Sequence, residues 1–229
     1  MEVHRTEHKF ILTRTEAAQL AYKLNCIMPK DAYCTEPEGY EIRSLYFDTL
    51  SDRCYVEKAD GLLVHEKFRA RIYGTDDRII KLERKHKLGE HQTKQSLLIS
   101  RPLLEELSQG RYSGLLDMDE PLSRFFYQKL SRGMLPKSIV QYKRLSFCVD
   151  TNNTRITFDS DIRATETCTD LFRQNLPAHP ILPPNRVVLE VKFNNFLLSY
   201  VQNALNSIEK LPASFSKYAN GRDFTRTLL

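Results

Sequence analysis

The sequence predicts an α+β fold: a closed antiparallel sheet of about eight strands, rolled into a β tunnel, with flanking helices and a single domain over residues 1–229. Three observations predict it. Short segments alternate apolar and charged positions, as in Glu7-His8-Lys9-Phe10, Phe68-Arg69-Ala70-Arg71-Ile72, Lys81-Leu82-Glu83-Arg84-Lys85, Arg155-Ile156-Thr157-Phe158-Asp159 and Leu189-Glu190-Val191-Lys192-Phe193. A strand sends successive side chains to opposite faces, so each segment has one apolar and one charged face. Turn signals at Gly74-Thr75-Asp76-Asp77 and Leu88-Gly89-Glu90 separate consecutive strand-like runs at hairpin length. Segments of helical period lie between the strands, and no repeat or low-complexity linker divides them. The wet face of an ordinary half-buried sheet mixes Thr, Ser, Gln and both signs of charge. Here it is mostly Arg and Lys with a few carboxylates, so faces turned inward would line a cationic tunnel suited to a polyanion.

The elements follow in order. Residues 4–12 alternate as a strand and stop at Thr13, a candidate N-cap for a helix over 15–27 with Ala17, Leu20, Ala21 and Leu24 on one face. Residues 29–39 are a loop and 40–48 a strand; 51–59 form a short helix or turn ended by Asp60-Gly61. Three antiparallel strands span 64–73, 78–87 and 91–99. Helices are predicted over 102–109 and 115–133, the second with Leu122, Phe125, Phe126 and Leu130 on one face. Strands return at 138–150 and 154–158 around the turn Thr151-Asn152-Asn153. The four-proline stretch 174–185 is a connection without regular structure. Residues 186–194 form a strand, 197–208 an amphipathic helix, and 216–222 a short polar tail.

Composition narrows the function classes. Hydrophobic residues at 41% and charged residues at 28% are ordinary for a globular chain, and a net charge of +5 leans modestly towards anionic partners. No run reaches the roughly 18 apolar residues of a membrane span, and no basic-then-apolar leader is visible. The expectation is a soluble, cytoplasmic chain, with a membrane partner on another chain left open. Cys26, Cys34, Cys54, Cys148 and Cys168 show no CxxC pair, and the histidines at 4, 8, 65, 86, 91 and 179 no HExxH cluster. There is no GxxxxGK[ST] phosphate loop, no Gly-rich dinucleotide loop and no GxSxG elbow. Basic residues interleaved with aromatics raise nucleic acid as a partner. Phe47, Phe125, Phe126 and Phe158 fall where core packing explains them, so none is expected.

Two constellations carry chemistry. Lys67, Arg69 and Arg71 share a strand face, and Lys81, Glu83 and Lys85 repeat the arrangement on the next strand. Like charges this close repel, so a buried cluster calls for an anion, and the planar arginine fork matches phosphate oxygens. A solvated edge strand is the plainer alternative. Glu7, Glu83 and Glu190 are each followed two positions on by Lys, which puts carboxylate and ammonium on one face. Such a step can hold Mg²⁺ or Mn²⁺ beside a phosphate, and it can equally be a surface Glu–Lys pair.

Seven motifs in order give these residues a family context. Ile42-Arg43-Ser44-Leu45-Tyr46-Phe47-Asp48-Thr49, Glu66-Lys67-Phe68-Arg69-Ala70-Arg71-Ile72-Tyr73-Gly74 and Leu82-Glu83-Arg84-Lys85 come first. Gln141-Tyr142-Lys143-Arg144, Arg155-Ile156-Thr157-Phe158-Asp159, Leu189-Glu190-Val191-Lys192-Phe193 and Ser216-Lys217-Tyr218 follow. From Glu7 to Arg222 the chain resembles the VTC domain, the polyphosphate polymerase domain of vacuolar transporter chaperone proteins and their bacterial relatives. The resemblance implies a triphosphate tunnel fold that binds triphosphate or polyphosphate with a divalent metal, Mn²⁺ or Mg²⁺. It implies transfer of the terminal phosphoryl group of ATP to a growing inorganic polyphosphate chain. By the same resemblance Lys9, Arg69, Arg71, Lys85, Lys94, Arg144 and Arg155 are phosphate ligands, and Ser216 and Lys217 are a phosphate-contacting tail. All of these except Lys94 and Ser216 are also the catalytic candidates; Glu190 is the implied metal ligand, with Glu83 and Glu7 beside it as metal candidates. Arg5 stands where the wider tunnel superfamily has a first glutamate, which implies fewer metals. Two rival activities remain: hydrolysis of an inorganic or nucleoside triphosphate, and binding of polyphosphate without catalysis.

Overall fold

A computed structural model of the chain describes residues 5–89 and 91–227. His4, expected to open the first strand, and Glu90, expected in the second hairpin turn, lie outside the described residues. The strands are β1 (Arg5–Thr13), β2 (Tyr40–Thr49), β3 (Val64–Tyr73), β4 (Asp76–Leu88), β5 (His91–Ile99), β6 (Met134–Val149), β7 (Thr154–Thr165), β8 (His179–Pro180) and β9 (Arg186–Asn194). The helices are α1 (Arg14–Asn25), α2 (Arg53–Ala59), α3 (Arg101–Leu107), α4 (Pro121–Leu130), α5 (Ser199–Asn206) and α6 (Lys217–Thr227). The fold is antiparallel, strand-rich and α+β. It comprises two compact units whose segments alternate along the chain. One is built from Met1–Glu41, Tyr142–Ile162 and Leu182–Ser216; the other is built from Ile42–Gln141, Arg163–Ile181 and Lys217–Leu229.

In the first unit β1 pairs with β9 and β9 with β7, all antiparallel, with Lys9 and Thr157 both opposite Glu190. The alternation read from the sequence decides the faces. Leu12, Ile156, Phe158, Leu189 and Val191 join Leu20 and Leu24 of α1 and Val201 and Leu205 of α5 in one buried cluster. The opposite parity carries Glu7, Lys9, Arg155, Thr157, Asp159, Glu190 and Lys192. Thr13 begins α1 with a reciprocal capping box: its hydroxyl accepts from the Glu16 backbone N–H at 3.2 Å, and its own N–H donates to Glu16 Oε2 at 2.7 Å. Two donors that the first helical turn cannot satisfy are thereby paired.

In the second unit β2, β3, β4 and β5 pair consecutively and antiparallel. Phe68, Ala70, Ile72, Ile80, Leu82 and Leu97 are buried on one parity. The α4 helix covers this side, with Phe126 edge-on to Phe68 at 6.4 Å. Tyr46, Arg69, Arg71, Glu83, Lys85 and Lys94 lie on the other parity. Each run of strands, taken by itself, is an open sheet, so these ladders do not establish the closed tunnel.

Four expectations change. The helix over 115–133 is a 3₁₀ turn, Ser113–Asp117, followed by α4 starting at Pro121. Proline bars the preceding residue from helical backbone, and Glu120 is extended (φ −133°, ψ 129°). Strand β7 runs on past Phe158 to Thr165, because the polar Asp159 is buried in an ion pair instead of ending the strand. Two residues of the proline-rich connection pair with β7 as β8. The polar tail is the helix α6 despite Asn220 and Gly221, since Tyr218, Ala219 and Arg222 bury one side of it. Gly221 allows a close approach there: an added Cβ would lie 3.0 Å from the Ala164 Cβ, tighter than ordinary contact.

The buried Asp48 carboxylate organises this corner of the second unit. It accepts from the backbone N–H groups of Thr49 (2.7 Å), Cys54 (2.8 Å) and Tyr55 (3.0 Å), which caps α2, and from the Tyr218 hydroxyl of α6 (2.7 Å). Arg222 reinforces α6 through Asp52 (2.5 Å) and Glu166 (2.6 Å). Replacing Thr13 with Ala should destabilise the fold by about 1 kcal/mol in urea unfolding, with Thr13→Ser largely retaining stability. Replacing Asp48 with Ala strands four donors and should lower the unfolding free energy by about 3 kcal/mol or more, measured the same way.

Candidate functional site

The charged parity of the second unit converges on one carboxylate. Arg69 on β3 lies directly opposite Glu83 on β4. Its Nε and a terminal nitrogen reach Glu83 Oε2 at 2.8 and 2.7 Å. Lys94 on β5 pairs with the other oxygen, Oε1. Glu83 is 1% exposed, and burial alone would raise its pKa. The charges of Arg69, Arg71 and Lys94 more than offset that, holding the carboxyl well below the usual range. Burial also lowers the Lys94 ammonium, an effect that Glu83 partly reverses. Lys85 extends the same face, in register between Lys67 and Lys94.

Arg71 is different. Its Nε lies 3.7 Å from Glu83 Oε2, beyond hydrogen-bond reach, and is buried with no hydrogen-bond partner among the described residues. Its cross-strand neighbour, Ser44 on β2, has a buried hydroxyl that is likewise unsatisfied. A guanidinium N–H and a hydroxyl on paired residues are thus left without partners, and burying such groups unpaired is costly. An anionic oxygen is an acceptor that either donor could use.

The first unit repeats the pattern with two carboxylates. Lys9 Nζ lies 3.2 Å from Glu7 and 3.7 Å from Glu190, and Lys192 Nζ lies 3.6 Å from Glu7 and 3.2 Å from Glu190. Arg144 on β6 grips Asp159 with two hydrogen bonds of 2.7 Å and stands 3.8 Å from Glu190. Burial works against the Arg144 charge, and Asp159 in particular holds its pKa well above the ordinary arginine value. Lys9 also donates to the Phe215 carbonyl at 3.1 Å, which places Ser216, the next residue, beside this group. Arg155 lies on the same parity, half-exposed, 3.4 Å from Asp31. The buried Thr157 hydroxyl, directly across from Glu190, has no hydrogen-bond partner among the described residues.

The candidate ligands therefore fall into two groups. Glu7, Lys9, Arg144, Arg155, Glu190 and Ser216 belong to the first unit; Arg69, Arg71, Glu83, Lys85, Lys94 and Lys217 belong to the second. Lys217 begins α6, directly before the anchored Tyr218. Among the described residues no three His, Cys, Asp or Glu side chains group as a metal site. Glu7 and Glu190, linked through the same two lysines, offer an all-oxygen donor pair that suits Mg²⁺ or Mn²⁺ if phosphate oxygens complete the shell. Glu83 fits a metal poorly, because three cations already surround its carboxylate. Four participants escaped the sequence reading as site residues: Lys192, Asp159, Ser44 and Tyr46. The first two share strand parity with Glu190 and Arg155, a signal already present in the alternation. The two on β2 are uncharged, and that pattern carried no sign of them.

A solved structure from Bacillus halodurans, described as a proposed adenylate cyclase, aligns with TM-score 0.53 and 11% identity, covering 94% of this chain and 96% of that one. A second protein so described, from Vibrio parahaemolyticus, aligns with TM-score 0.48 and 11% identity over 89% of this chain and 86% of its own. A protein from Pyrococcus horikoshii gives 0.41 and 12% over 89% and 85%. At these identities the likeness is one of fold, and it rests on the first alignment. No curated protein matches the sequence. The model of the VTC domain matches residues 4–226, nearly the whole chain, and the protein belongs to the VTC domain family.

Proposed function

We propose that this domain binds a triphosphate on its cationic sheet faces and transfers the terminal phosphoryl group of ATP to the end of an inorganic polyphosphate chain. The observation that carries the reading is the unsatisfied donor pair of Arg71 Nε and Ser44 Oγ, set beside an arginine already fixed by a buried glutamate. Membership of the VTC family supports a triphosphate-related role. The Bacillus halodurans protein of similar fold is described as a proposed adenylate cyclase. Closure of the strands into an eight-stranded tunnel around the phosphates belongs to the same proposal.

Phosphoryl transfer asks a protein mainly for positioning and for neutralisation of charge. A terminal phosphate oxygen of the acceptor attacks the γ-phosphorus. The bond from that phosphorus to the β,γ-bridging oxygen breaks, and ADP leaves with the electron pair. The polyphosphate gains one phosphate, and no side chain need act as a nucleophile. Arg69, Arg71, Lys85, Lys94 and Lys217 supply positive charge within the second unit, and Lys9, Arg144 and Arg155, with Ser216 as a further donor, supply it within the first. Glu83 restrains Arg69 by accepting from two of its nitrogens through one oxygen. A divalent metal held by Glu190 and Glu7 would neutralise phosphate oxygens.

Incubating the purified chain with ATP and Mn²⁺ separates the readings. Chain growth marks a polymerase, phosphate release a hydrolase, and triphosphate binding without either a non-catalytic module. Turnover should stop when the metal is chelated. Arg69→Ala and Glu190→Gln should each lower metal-dependent synthesis by about a hundredfold or more while thermal melting shows a folded chain. Wild-type synthesis by either variant would defeat the site assignment.

A further inference from the structure

Tyr46 lies on the charged parity of β2, directly opposite Arg69. It is 5% exposed, yet its hydroxyl does not point into apolar packing; it accepts from Arg69 NH1 at 3.2 Å. Glu83 takes Nε and NH2 of the same guanidinium, so Arg69 is gripped from two strands at once. The ring of Tyr46 is fixed in turn. Tyr218 of α6 stacks on it with centroids 4.9 Å apart and planes at 22°, and the Tyr218 hydroxyl is tied to Asp48 at 2.7 Å. The Arg69 guanidinium carbon stands 5.9 Å from the Tyr46 ring centroid, close enough for cation–π attraction.

We infer that Tyr46 is a positioning residue for Arg69, setting the plane in which this arginine meets a phosphate, and that the stack of Tyr218 on Tyr46 couples the C-terminal helix to that setting. The inference rests on the phosphate-ligand reading of Arg69. Held by Glu83 alone, the fork could swing about the Glu83 contact. The Tyr46 hydroxyl removes that freedom, so the side-chain entropy is lost on folding instead of on binding. Ser44, two residues earlier, stands opposite Arg71 on the same strand face, with no hydrogen bond between the two.

Tyr46→Phe tests this, because it keeps the ring and the stack and removes only the oxygen. Titration calorimetry of the purified chain with tripolyphosphate and Mn²⁺ should show affinity weakened about fivefold to tenfold, the scale of one ordinary hydrogen bond. Arg69→Lys should weaken binding further, and the double variant should bind no worse than Arg69→Lys alone, since Tyr46 acts through Arg69. NMR relaxation of the Arg69 Nε–H should show the guanidinium more mobile in Tyr46→Phe. Additive losses, or an unchanged affinity and unchanged Arg69 mobility in Tyr46→Phe, would overturn the positioning role alone. A wild-type chain that binds no tripolyphosphate would overturn the phosphate reading and this inference together.

Discussion

The buried carboxylate of Glu83 is the constraint on which the second unit depends. A charge taken out of water is costly unless it is paired. Here the pairing comes from the two flanking strands: Arg69 and Arg71 from β3 and Lys94 from β5, around Glu83 on β4. Strand side chains have a period of two, so a slip of one residue in any ladder would turn its cation towards the hydrophobic side and leave Glu83 underpaired. The ionic cluster therefore fixes register as well as charge. It also keeps the arginines close together in spite of their mutual repulsion.

The first unit solves a related problem with less enclosure. Two lysines alternate with two glutamates across β1 and β9, and Arg144 is held back by Asp159. The lysines are point charges on flexible stems, so Glu7 and Glu190 keep more latitude than Asp159, whose two oxygens both hold Arg144.

Much of this was legible in the sequence, because alternation in a strand reports faces directly. Strand β9 begins and ends where the pattern placed it, and the candidate cations share parity with the candidate acids. What escaped the pattern depended on tertiary pairing. Asp159 looked like the polar end of a strand and is instead a buried partner of Arg144. The tail after Ser216 has poor helix formers and becomes α6 only because Tyr218 and Arg222 find acids contributed from elsewhere in the unit. The alternation could suggest a lumen; it could not specify ring closure, which needs edges to meet across long stretches of sequence.

The alternation of the two units along the chain has a consequence for how the protein is made. Strand β1 ends at Thr13, and its partner β9 begins at Arg186. On a ribosome the first strand is exported long before its neighbour exists, carrying Phe10 and Leu12 on an edge that has nothing to pair with. Pairings between distant segments form slowly, and unpaired edges invite association with other chains. The local β3–β4–β5 meander can assemble as soon as it emerges. Assembly of this fold is therefore asymmetric: the β3–β4–β5 ladder pairs neighbours in sequence, and the β1 ladder needs the distant β9.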